Sequence, residues 1–193
     1  MSKIQTLQEY QELAIRTYVD LGSQEKNSRH MTLGVITETG EVIDIFKKLL
    51  AYNKPMDLVN LGEEIADIAW YVVNNCTNQN LVLNEDFEEA FEYCTNLVKE
   101  DMFNVEDLSP EHKSEAILIG ILSTYCIPLN NLFNAPIVQL AMLRLITSWY
   151  DLDFFQCLTN NIDKLKVRYP EKFTEEAAQN RNLGAERVEL EKE

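Results

Sequence analysis

Residues 33–50, LGVITETGEVIDIFKKLL, and residues 61–73, LGEEIADIAWYVV, decide how this chain is to be read. Each carries an acid-x-x-acid pair, Glu38 with Glu41 and Glu64 with Asp67. Side chains three apart on a helix lie one turn from each other on nearly the same face. In the first stretch Val35, Val42, Phe46 and Leu49 form an apolar stripe, and in the second Leu61, Ile65, Ile68 and Val72 do the same. The acids border these stripes, so they sit at the edge of a packed face. A short connection around Pro55 predicts that the two helices pack antiparallel and bring four carboxylates together. Hard divalent cations such as Mg²⁺ take oxygen ligands and would neutralise such a gathering. Two amphipathic helices with ordinary solvated acids would show the same spacing.

The rest of the chain predicts an all-α protein: a single helical domain over residues 1–193, with a four-helix core built around the two antiparallel acidic helices. Glycine and proline are sparse, with 6 and 5 in 193 residues, and helix-period patterns are long. We place helices at about residues 4–21, 30–52, 57–76, 84–103, 110–132, 136–150 and 152–169. Leu7, Tyr10, Ala14 and Thr17 mark the first helix's inner face. Residues 22–29 read as a polar loop, and Pro55 as the stop after the first acidic helix, because the residue before proline avoids helical geometry. Asp57 reads as an N-cap, as does Asn84. Ser109-Pro110-Glu111 is a helix-start signal. The pair at about 115–150 echoes the acidic pair in length and order but lacks its acids, as a degenerate repeat would. In the last helix Phe155, Leu158, Ile162, Leu165 and Tyr169 form the core stripe, with Asn161, Lys164 and Arg168 one residue round from it. The tail after Pro170 predicts one or two helical turns, with Arg181 as its most conspicuous cation.

Composition narrows the chemistry. A net charge of −15 argues against binding nucleic-acid polymers, which relies on cationic surface. Cys76, Cys94, Cys126 and Cys157 are scattered and read as buried thiols in a reducing, cytoplasmic setting. His30 and His112 are too few and too far apart for a zinc site or a paired Glu-x-x-His di-iron bundle. The most apolar run, residues 116–129, is too short to span a bilayer.

The motifs TETGEV (37–42) and EEIAD (63–67) resemble the Glu-x-x-Glu and Glu-x-x-Asp magnesium motifs of the MazG-type, all-α nucleoside triphosphate pyrophosphohydrolases. The resemblance extends to FKKLL (46–50), ADIAWYV (66–72), NIDKLKVRYPEKF (161–173) and LQEYQELAIRTY (7–18). It covers about half of the chain and leaves the helical section at about 80–148 unmatched. It implies Mg²⁺-dependent hydrolysis of (deoxy)nucleoside triphosphates to the monophosphate and pyrophosphate, in nucleotide-pool house-cleaning. Mn²⁺ is a substitute cofactor, and a homo-oligomer, a dimer above all, is the expected assembly. Glu38, Glu41, Glu64 and Asp67 would hold the metal, with Glu41 and Glu38 in the catalytic role and Glu41 as proton acceptor. The family match assigns Lys164 and Arg168 to the outer phosphates and Asn161 beside them. Lys48 and Tyr71 are further phosphate contacts by placement. Tyr10 and Gln11 are candidates to stack on the base or read its edge, whereas Trp70 is assigned to the core. A non-catalytic helical module that binds nucleotides or a protein through the same groove is the alternative.

Overall fold

The computed structural model describes residues 2–83, 86–101 and 135–192, and every regular element among them is helical. Helix α1 (Leu7–Ala14) runs into a 3-10 turn (Ile15–Thr17) and is followed by α2 (Gln24–Tyr52) and α3 (Leu58–Asn78). Next come α4 (Phe87–Asp101), α5 (Ala135–Ser148) and α6 (Phe154–Arg168), then two short helices, α7 (Glu175–Gln179) and α8 (Leu183–Leu190). The expected Asn84 cap, the helix start at Ser109, most of the 115–150 pair, His112 and Cys126 lie outside the described residues. No helix among the described residues is long and apolar enough to cross a membrane.

Local chemistry sets the ends of the acidic hairpin. Helix α2 starts at Gln24, six residues before the expected position, because Ser23 caps it by accepting a hydrogen bond from Lys26 N. The polar residues that read as loop are satisfied inside the helix. Asn27, 5 % exposed, donates to Asp20 Oδ1 and accepts from Leu21 N. At the far end Asn53 takes the left-handed conformation (φ 48°), and the N–H groups of Asn53 and Lys54 both turn back to the Lys48 carbonyl. The helix therefore stops at Asn53, ahead of Pro55. Asp57 then caps α3 as expected, accepting from Asn60 N at 3.0 Å. Asn78, at the end of α3, donates to Gln24 O and Ser28 Oγ at the start of α2, both at 2.9 Å, which fixes the two helices antiparallel.

Helix α3 is the centre of the bundle and packs against α1, α2, α5 and α6. Leu61, Ile65, Ile68 and Val72 are all buried, as the apolar spacing predicts. They share one core with Val42 and Phe46 of α2, Leu140 and Ile146 of α5, and Leu158 and Ile162 of α6. Helix α6 begins at Phe154, where Asp153 accepts from Gln156 N. That start turns Phe154 into the core and leaves Phe155 half-buried against Phe87, so Phe155 is not the core residue expected of it. Tyr10 and Gln11 also serve the fold. Tyr10, fully buried, donates to the Ala66 carbonyl or Asn161 Oδ1, both at 3.1 Å. Gln11 donates to Thr77 Oγ1 and Leu81 O and accepts from Leu83 N, pinning the chain that leaves α3.

Candidate metal centre

Three of the four motif acids meet. Carboxylate oxygens of Glu38 and Glu41 on α2 and of Glu64 on α3 all lie within 4.8 Å of one another. Exposure is graded across them: Glu41 faces solvent, Glu38 is half-buried and Glu64 is 6 % exposed. Burial, with Asp67 and Glu41 adding negative charge, pushes the Glu38 carboxyl up to about 7. Burial, then Asp67, Glu41, Glu63 and Glu38, push Glu64 up to about 9. Mutual repulsion among half-desolvated carboxyls is what a bound divalent cation relieves. An all-oxygen cluster with one ligand open to water fits Mg²⁺, which takes carboxylates and keeps waters.

Asp67 stands beside this cluster and is engaged elsewhere. Lys164 Nζ donates to both of its oxygens, at 2.8 and 2.7 Å, and to Glu63 Oε1 at 3.2 Å. Asn161 Nδ2 donates to Asp67 Oδ1 at 2.5 Å. Burial favours the neutral amine of Lys164, but Asp67 and Glu63 outweigh it and hold the ammonium above its ordinary value. Lys164 and Asn161 are 1 % and 0 % exposed and do not line the cleft over the acids. Both residues, expected at the phosphates, contact Asp67 here. Helical spacing alone placed them beside the core stripe. The half-buried carboxyls of Asp67 and Glu63 on α3 are the partners that they meet.

The cleft itself has a volume of about 410 Å³. Its acidic end is lined by Glu38, Glu41, Glu63, Glu64 and Asp67. Arg168 and Arg181 line it too, and Trp70, Tyr71, Tyr169, Phe173 and His30 supply aromatic wall. Tyr71 reaches its place because α2 carries glycine opposite: a Cβ on Gly34 would stand 2.2 Å from Tyr71 Cε1. Burial, then Glu38 and Asp67, push the Tyr71 phenol up to about 12, so it keeps its proton and can donate. Trp70 lies edge-on to Tyr71 with ring centroids 5.0 Å apart, and its Nε1 donates to Thr17 Oγ1. It lines the cleft, against the expectation that it belongs to the core alone. His30 packs edge-on to Tyr71 at 6.1 Å, and its buried Nδ1 has no hydrogen-bond partner among the described residues. Lys48 is outside the cleft. Asp44, one turn back on α2, takes its ammonium at 2.7 Å on the solvent side.

Arg168 lines the cleft as expected, but a residue that spacing did not reveal holds it there. Glu186 of α8, 2 % exposed, accepts from Arg168 Nε and Nη2 and from Arg181 Nη2. Glu63 was missed because its partner Lys164 is distant in sequence, and Glu186 because its partners Arg168 and Arg181 lie on other elements of the chain. Trp70 was left out because aromatic residues at helical spacing ordinarily signal a core, and His30 was weighed only as a metal ligand. The thiols of Cys76, Cys94 and Cys157 are pushed up to about 11 by burial, which favours the protonated thiol. Comparison with protein families, with characterised proteins and with solved structures finds no match to this chain.

Proposed function

We propose that this protein hydrolyses (deoxy)nucleoside triphosphates to the monophosphate and pyrophosphate, with Mg²⁺ as cofactor and Mn²⁺ as its substitute. The observation that carries the reading is one cleft that joins three gathered glutamates, two arginines and an aromatic wall. A nucleoside triphosphate presents the matching groups: oxygens for a cation, outer phosphates for guanidinium forks, and a flat base for aromatic rings. The MazG-type resemblance of the same motifs supports this reading.

Glu38, Glu41 and Glu64 would hold the cation, which when bound polarises phosphate oxygens and lowers the pKa of a coordinated water. Glu41, the solvent-facing member, is placed to take a proton from the attacking water. Water's oxygen bonds to the α-phosphorus, the bond from that phosphorus to the α,β-bridging oxygen breaks, and pyrophosphate leaves. No protein nucleophile is needed. Tyr71, protonated, donates to a phosphate oxygen, and Arg168 steadies charge on the outer phosphates. Asp67 shapes the acidic wall, fixed by Lys164 and Asn161. Trp70, Tyr169 and Phe173 offer the base its flat surfaces.

Incubation with a panel of ribo- and deoxynucleoside triphosphates, with Mg²⁺ or with chelator, tests the reading. It predicts pyrophosphate and monophosphate in equal amounts with Mg²⁺ and neither with chelator. Nucleotide binding without turnover across the panel would instead establish a non-catalytic binding module.

A further inference from the structure

The C-terminal strap carries a feature that the metal centre does not explain. After α6 the chain continues through α7 and α8, placing Phe173 and Arg181 in the lining of the cleft, and it is tied down at several points. Arg16 Nη1 donates to the Tyr169 carbonyl at 2.7 Å. Asn160, buried, donates to Leu190 O and Lys192 O. Arg187 pairs with Asp57, the N-cap of α3. Leu190 is buried among core side chains. A strap anchored in this way fixes where Glu186 stands.

Glu186 is a buried carboxylate shared by two guanidiniums. Arg168 offers it Nε at 3.0 Å and Nη2 at 2.5 Å, a two-bond fork, and Arg181 adds Nη2 at 2.9 Å. Burial opposes its charge, but the hydrogen bonds from Arg168 and Arg181 prevail and hold Glu186 below its ordinary value. The three side chains together keep one net positive charge. The fork uses one edge of Arg168 and leaves its Nη1 without a partner among the described residues, while the Arg181 side chain is 41 % exposed. Both arginines line the cleft that holds the acid cluster. The acids of the cleft attract this cationic pair, yet among the described residues none of them hydrogen-bonds either guanidinium, so the free edge of Arg168 and the exposed Arg181 are available to an anion in the cleft.

We propose that Arg168 and Arg181 form a clamp for the terminal phosphates of a polyphosphate ligand, and that Glu186 is the positioning residue that aligns the two guanidiniums. The ligand class rests on the triphosphate reading above. The clamp takes the two outer phosphates, the part that leaves as pyrophosphate. Planar guanidiniums suit that task because each meets two phosphate oxygens at once. Arg181 is therefore a substrate contact contributed by the tail, and the site is complete only when α8 is docked.

Calorimetric titration in Mg²⁺ with inorganic tripolyphosphate, a non-hydrolysable deoxynucleoside triphosphate and a deoxynucleoside monophosphate tests this. The proteins are the parent, Arg181→Ala, Arg181→Lys, Glu186→Gln and Glu186→Asp, each checked for helical content and melting. Arg181→Ala and Glu186→Gln should weaken both triphosphate ligands by at least about tenfold, the scale of one charge-assisted hydrogen bond. Monophosphate binding should stay within about twofold of the parent, and Arg181→Lys and Glu186→Asp should recover part of the loss. Should Glu186→Gln not fold, exposed Arg181 decides the matter. A folded Arg181→Ala that binds both triphosphates as the parent does overturns the clamp, as does a parent that binds neither. Equal weakening of the monophosphate also overturns it, because the arginines would then not be reading the outer phosphates. Parental hydrolysis with an unchanged KM in Arg181→Ala removes the clamp and spares the hydrolase. Clamped tripolyphosphate without pyrophosphate release from any nucleotide does the reverse.

Discussion

Lys164, 1 % exposed, donates to both carboxylate oxygens of Asp67, at 2.8 and 2.7 Å. An ammonium so placed fixes an acid of the cleft wall. Removing it should strand Asp67 and Glu63 without their cation. Lys164→Met should cost about 3 kcal/mol, the lower end for breaking a buried pair, because Asp67 remains open to water on the cleft side. Urea denaturation reads the loss. A double-mutant cycle with Asp67→Asn should show coupling between the two sites. Parental stability in Lys164→Met, with only the KM for triphosphates raised, would return Lys164 to the phosphate contacts.

Gly34 and Gly40 make a matched pair on α2. Alanine in a helix interior is worth about 1 kcal/mol over glycine where there is room. Gly40 has nothing within 4 Å of an added Cβ, so Gly40→Ala should stabilise by up to about that amount. At Gly34 the Cβ would meet Tyr71 Cε1 at 2.2 Å, and overpacking costs about 1–3 kcal/mol. Gly34→Ala should therefore destabilise by about 1 kcal/mol net and alter the near-ultraviolet circular dichroism as Tyr71 moves. Equal stabilisation by both substitutions would contradict the packing of Tyr71 on α2.

The Glu186 carboxyl gives the fold an acid sensitivity with a definite sign. Its value is lowered in the folded protein from an ordinary 4.5, so its contribution is complete above 4.5 and is lost as pH falls through the lower folded value. Denaturation midpoints should fall more steeply below about pH 5 in the parent than in Glu186→Gln, which has no proton to gain. Parallel acid profiles for the two proteins would show that Glu186 does not hold its arginines in solution.

Glu41 is exposed at the edge of the cluster, so Glu41→Gln should leave the fold intact. Hydrolysis should drop by about a hundredfold or more, the scale of losing one principal electrostatic contributor. Pyrophosphate release at matched enzyme concentration checks this. Near-parental turnover would remove Glu41 from the chemistry.

Local signals made much of this molecule legible. The apolar stripes of α2, α3 and α6 placed the core because a 3.6-residue period reports directly which side faces inward. The acid-x-x-acid spacing put Glu38 beside Glu41, since i and i+3 neighbours share a face, and the antiparallel hairpin brings Glu64 to them, while Asp67, expected in the same group, stands beside it. Partners chosen across the fold left no such trace. That Lys164 serves Asp67 and that Glu186 of α8 holds Arg168 of α6 depend on how separate helices pack, whereas the Lys48–Asp44 pair is a local i,i+4 contact on α2. The start of α2 was hidden for a related reason. A polar stretch reads as loop until Ser23 is seen to cap it and Asp20 to satisfy Asn27.

The central claim, that Glu38, Glu41 and Glu64 form a divalent-cation centre, is tested most directly by electron paramagnetic resonance of Mn²⁺ added to chelator-treated protein. The six-line signal of free Mn²⁺ should diminish as the ion binds and return as Mg²⁺ is added in excess. Glu64→Gln should weaken binding by about tenfold or more, as loss of one ligand charge would. A free-ion signal that stays undiminished in the parent, or falls equally in Glu64→Gln, would contradict the metal centre and the hydrolytic reading built on it.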